Sequence, residues 1–182
     1  MKRKVKVSMA SLALVTAFSL ASVTSADYNA GGRSSAQFNA WYDSSVASYG
    51  YTGIYDSARA SWGGISSRVA VGKTTSSAGT PDKYYVGTTT DPELMGLASY
   101  FNASGSPVCI TCTRAYTTVA LYNNNLPNNY SYRLSAAIHE IGHSLSLAHT
   151  SNELTNSVMQ PWLQNIGVQQ YDMNQLKAKW GV

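Results

Sequence analysis

Residues 139–149 read His139-Glu140-Ile141-Gly142-His143-Ser144-Leu145-Ser146-Leu147-Ala148-His149 and hold all 3 histidines of the chain. Histidines four apart on a helix put two ring nitrogens one turn from each other, within reach of a single ion. Glu140, beside the first of them, can approach a water on that ion without displacing it. The third histidine meets a stricter condition. Six further residues of helix would carry His149 about 9 Å along the axis from His143 and turn it away from both partners. Metal–nitrogen bonds of about 2.0–2.1 Å cannot span that distance. For His149 to join the other two, the helix must stop near Ser146 and the chain must turn back. A His-Glu-x-x-His string arises by chance on helices, but chance is a poor account of every histidine falling on one of three ligand positions. His139, His143 and His149 are the candidate metal ligands and Glu140 the candidate general base.

The surroundings of this segment follow from its apolar face. Over residues 131–145, Leu134, Ile138, Ile141 and Leu145 share one side of a helix, with His139 and His143 on nearly the opposite side. One face is thus offered to a core and the other to a cleft. Upstream, Ile54, Ala58, Trp62 and Ile65 recur at helical spacing and predict a packing helix from about residue 52, ended near Gly63-Gly64. Strands are expected over 38–46, 68–73, 83–88, 94–101 and 114–122, with a turn at Asp91-Pro92 and a break at 123–129 around Pro127. Residues 27–35, rich in Gly and Ser, read as a loose start. The expected class is α+β, with an active-site helix, a packing helix and a C-terminal helix on a mixed, twisted sheet.

The N-terminus reads as an address. Lys2, Arg3, Lys4 and Lys6 precede an uncharged stretch over residues 7–20, and Thr24-Ser25-Ala26 ends the segment before Asp27. That is the layout of a secretory signal peptide over residues 1–26, with an apolar part too short to span a bilayer. The chain has 13 basic and 9 acidic residues, but four of the basic ones lie in this leader, leaving 9 of each. A neutral remainder gives no reason to expect nucleic acid or an anionic membrane as partner. Residues 27–182 suit one domain, expected to be secreted and monomeric. The 2 cysteines, Cys109 and Cys112, are read as closing a small disulfide loop in an oxidising compartment. The rival readings are a redox couple, or half a zinc knuckle that finds no further ligands.

The eleven-residue pattern resembles that of the metzincin proteases, His-Glu-x-x-His-x-x-Gly-x-x-His with a later methionine turn beneath the metal. Met159, in Ser157-Val158-Met159-Gln160-Pro161, matches that methionine. Thr150, Pro161 and the tail Tyr171-Asp172-Met173-Asn174-Gln175-Leu176 look like the matrixin branch, the matrix-metalloprotease group and its bacterial relatives. Asp172 with Gln175 also reads as a capping box. The chain departs from the family pattern at Ser146, which stands where the turn glycine is usual. A non-glycine residue in a left-handed conformation costs about 1–2 kcal/mol. Leu97 stands where many matrixins place a histidine for a second, structural zinc, so that ion is not expected. No room is expected for a pro-segment, and no lone cysteine is present to plug the site.

The resemblance implies a zinc-dependent endopeptidase acting on polypeptides. One catalytic zinc would acidify a water from pKa 15.7 toward about 7, with Glu140 as its base. Structural calcium is possible in the family but not readable here. An extended peptide would pair with the edge strand containing Gly96, Leu97 and Ala98, beside a pocket lined by Pro161 and Trp162. The alternative from another class is a secreted, zinc-bearing but non-catalytic adhesin or interaction module on the same fold. A further rival takes Glu153 in place of His149 as the third ligand.

Overall fold

The computed structural model describes residues 27–182; the expected leader over residues 1–26 lies outside them. Strand β1 (Ala36–Tyr42) leads through the short helix α1 (Ser44–Ser48) into helix α2 (Thr52–Ser61) and strand β2 (Val69–Thr74). Strands β3 (Asp82–Gly87), β4 (Gly96–Phe101) and β5 (Tyr116–Tyr122) follow, then helices α3 (Tyr130–Ser144) and α4 (Gln170–Trp180). The 5 strands form one sheet in the order β2-β1-β3-β5-β4. β4 pairs antiparallel with β5, and the other neighbours are parallel. Parallel neighbours need a crossover, and α2 lies on the one from β1 to β2. The result is the expected mixed sheet with helices. No helix among the described residues is long and apolar enough to cross a membrane.

The core lies between the sheet and the α2–α3 pair. Trp62, Tyr55, Tyr84, Leu121, Ile138 and Ile141 are all fully buried there. Buried aromatics need partners for their polar ends. The Trp62 indole N–H donates to the Ile138 carbonyl at 3.1 Å, and the Tyr55 hydroxyl donates to the Tyr85 carbonyl at 2.9 Å. α2 and α3 are thus fixed to each other and to the sheet.

Several expectations shift, each for a reason visible in the hydrogen bonding. The first strand ends at Tyr42 rather than residue 46, because the Asp43 side chain accepts the Ser45 N–H at 2.9 Å and starts α1. At α4 the capping box pairs Gln169, as N-cap, with Asp172 at the third helical position. Asp172 is therefore not the cap and Gln175 is not its partner. Residues 27–35 are bound rather than loose. The Lys179 ammonium bonds the carbonyls of Asn29, Ala30 and Gly31 at 2.6–2.9 Å, and Tyr28 bridges Leu147. Cys109 and Cys112 form a disulfide, which leaves neither sulfur for a knuckle.

Candidate active site

Helix α3 is capped by Asn129, whose side chain accepts the Ser131 N–H at 2.9 Å, and ends at Ser144 with Leu145 as its C-terminal cap. Ser146 follows with φ 70°, the one positive-φ non-glycine residue among those described. The last carbonyls of a helix lack intrahelical donors and must find others. Here each one is met. Leu145 N–H reaches Ile141, Leu147 N–H reaches Gly142, and Ser146 N–H reaches His143, all at 3.0 Å. Arg114 donates to the carbonyls of His143 and Ser144, and the Trp180 indole N–H to that of Leu145 at 2.8 Å. The Ser146 carbonyl takes the Asn29 N–H at 2.8 Å. The reversal is held from three remote places in the sequence, residues 29, 114 and 180.

This turn brings His149 to the helical pair. The Nε2–Nε2 separations are 3.1 Å for His139–His143, 3.2 Å for His139–His149 and 3.2 Å for His143–His149. Three nitrogens bound tetrahedrally at zinc lengths would be about 3.3 Å apart. The tautomers agree with a metal. His139 Nδ1 lies 2.8 Å from the Val158 carbonyl and His143 Nδ1 3.0 Å from the Leu147 carbonyl, so each Nδ1 carries the proton and donates it. Their Nε2 lone pairs are left facing one another, an arrangement that a cation stabilises and that is otherwise repulsive. Burial pushes His139 down to about 4 and His143 well below its ordinary value, and lowers His149 too. Neutral imidazole is the form a metal takes. Among the described residues this is the one group of His, Cys, Asp and Glu able to hold an ion.

Glu140 lies in the same cleft, a cavity of about 210 Å³ lined also by His139, His149, Met95, Val158 and Gln160. Burial pushes its carboxyl up to about 8, against the pull of the Ala98 backbone amide. Beside a divalent cation the carboxylate form is favoured instead. Gly96 lines the cleft, and a Cβ there would stand 2.6 Å from the Glu140 carboxyl oxygen, so any larger residue would displace that side chain. Pro161 and Trp162 line it as well, whereas Leu97 and Ala98 fall outside its lining. β4 is the outer strand of the sheet at this edge, with Leu97 exposed on it.

Met159 is buried against Gly142, at whose position a Cβ would meet the Met159 sulfur at 2.4 Å. The methionine segment is tied to the last helix. Asp172 accepts from the Ser157 hydroxyl at 2.5 Å and the Val158 N–H at 3.0 Å. Ser157 in turn meets the Thr150 hydroxyl at 2.6 Å, and the Thr150 N–H reaches the Met159 carbonyl at 2.9 Å. Asp172 therefore supports both the carbonyl that orients His139 and the residue after His149. Sequence reasoning assigned no role to Gly142, Arg114 or the Asp172–Ser157–Thr150 chain. Gly142 left a signal, a glycine inside a helix at a cost of about 1 kcal/mol; Arg114 left none.

Comparison with curated proteins finds no match. Residues 55–179 match the family described as Peptidase_M10, Matrixin, and the matched segment runs from the middle of α2 to the end of α4. That is well over half of the chain and takes in the histidine cluster, the methionine segment and the outer strand, and with it the chain belongs to the matrixins, a family of zinc-using metallopeptidases.

Proposed function

We propose that the protein is a secreted, zinc-dependent endopeptidase whose metal is held by His139, His143 and His149. The observation that carries this reading is the convergence of the Nε2 atoms of His139, His143 and His149 to within 3.2 Å of one another, beside the cleft that holds the Glu140 carboxyl. A zinc ion there would supply a Lewis acid and a water of lowered pKa. Glu140 would accept the proton of such a water and pass it to the leaving amine. The β4 edge aligns an extended substrate by strand addition. Leu94, Met95, Val158 and Trp162 give the adjoining cleft an apolar lining suited to a side chain next to the cut bond. Met159, buried against Gly142, serves as an apolar floor beneath the rings. Residues 1–26 direct export, and the Cys109–Cys112 disulfide is in keeping with an oxidising compartment.

The test is Glu140→Gln beside the wild type, with bound zinc and casein hydrolysis measured on both. Equal zinc with activity lower by about 10²–10⁴ in the variant supports the base assignment. Zinc in both with no hydrolysis by either favours a binding module.

A further inference from the structure

The Ser146 turn has a feature that the family pattern does not supply. Where a glycine would take a positive φ freely, this chain holds a fully buried serine at φ 70°. Its hydroxyl occupies room left by Gly32, since a Cβ on Gly32 would stand 2.3 Å from it. The group facing that hydroxyl is the guanidinium of Arg114, a residue only 3 % exposed. Arg114 Nη2 donates to Ser146 Oγ at 2.9 Å, to the His143 carbonyl at 2.9 Å and to the Ser144 carbonyl at 3.2 Å. The guanidinium lies 4.2 Å from the centre of the Tyr100 ring, and the Arg114 N–H bonds the Gly32 carbonyl at 3.2 Å. One buried cation thus bridges the end of the ligand helix and the reversed chain three residues before His149.

We infer that Arg114 is a positioning residue for the third metal ligand, holding Ser146 in the left-handed conformation that returns His149 to His139 and His143. The inference rests on the reading of His149 as a ligand. It differs from simple capping of α3 in one consequence. If Arg114 acts through the conformation of Ser146, a glycine at 146, which takes that conformation unaided, makes the site less dependent on Arg114. A cap that only stabilises the helix gives no such recovery.

The experiment measures zinc affinity by competition with a chromogenic chelator, together with thermal melting. The full chain is compared as wild type, His149→Ala, Arg114→Lys, Arg114→Met, Ser146→Gly, and each Arg114 variant combined with Ser146→Gly. Partners that orient metal ligands contribute about ten- to a hundredfold in metal affinity. Arg114→Met is expected to lose that much, Arg114→Lys less, and Ser146→Gly to restore most of the loss in both. An Arg114→Met protein that binds zinc like the wild type overturns the inference, as does a loss that Ser146→Gly does not restore. Should Arg114→Met fail to fold, the Arg114→Lys pair decides by the same criterion. Unchanged zinc affinity in His149→Ala overturns the ligand assignment itself, an outcome read separately from any Arg114 variant.

Discussion

His139 and His143 stand one turn apart on a helix, whereas His149 arrives on a turn, and the two placements rest on different physics. The helical pair needs only the periodicity of α3 and an apolar face to bury it. His149 depends on hydrogen bonds from remote parts of the chain. The Ala148 N–H reaches the Asp27 carbonyl at 2.9 Å, the Thr150 N–H reaches the Met159 carbonyl, and Arg114 and Trp180 fill the carbonyls of His143, Ser144 and Leu145 before them. The exposure of the rings follows the same division, with His143 buried and His149 exposed. Two of the proposed ligands come with the secondary structure; the third is assembled by the tertiary structure.

Removing ligands from either group tests that division most severely. His143→Ala is expected to abolish zinc retention through dialysis, and hydrolysis with it, while the protein stays folded. His149→Ala leaves a helical pair that still binds zinc, weakly. Metal analysis at graded free zinc separates the two, and equal behaviour of both variants breaks the comparison. Next in size is Asp172→Ala, which strips the carboxylate from the Ser157 hydroxyl and from the N–H groups of Val158 and Gln169. Hydrogen bonds to a charged group are worth about 1.5–3 kcal/mol, so a loss of about 3 kcal/mol is expected on thermal melting. Zinc affinity falls with it, because Val158 orients His139 and Ser157 holds Thr150.

The same division decides how much was legible in the sequence. The apolar face of α3, the alternation of Thr117, Val119 and Leu121 in β5 and the periodic face of α2 are local patterns, and each identified its element. The site residues came as far as a motif goes. Whether His149 could reach the others was a condition on the backbone at Ser146, and that backbone is held by residues 114, 29 and 180, at no fixed distance in sequence. Arg114 itself opens a segment that reads as strand, so nothing marked it as buried beneath the turn. The bound course of residues 27–32 was missed for a related reason. Its partners, Lys179, Gln175 and Leu147, lie at the far end of the chain, and a Gly- and Ser-rich composition carries no sign of them.

Gly142→Ala probes the helical half from beneath. Alanine improves helix propensity by about 1 kcal/mol, yet its methyl group meets the Met159 sulfur and, at 3.1 Å, the Trp62 ring. Overpacking of this kind costs about 1–3 kcal/mol. A net destabilisation is therefore expected, with a smaller loss of zinc affinity than in Asp172→Ala, because both helical ligands keep their carbonyl partners. A variant more stable than the wild type would show that Met159 can move aside.

The smallest effect sharpens the contrast between the two ends of α3. Asn129 caps the N-terminal end through the Ser131 N–H at 2.9 Å and the Tyr132 N–H at 3.4 Å. That cap is about 15 Å along the axis from His139. Asn129→Ala is expected to cost about 1 kcal/mol on melting and to leave zinc affinity where it was, since no ligand depends on that end. Ser146→Ala, at the other end, removes the oxygen that accepts from the Arg114 guanidinium, a bond to a charged group worth about 1.5–3 kcal/mol. Because His149 hangs from that turn, this second variant is expected to weaken zinc binding measurably. Metal affinities that part further than the stability losses do would mean that the site responds to where the helix ends rather than to how stable it is. Equal affinities would place the third ligand's support elsewhere, in the contacts of Asp27 and Asp172.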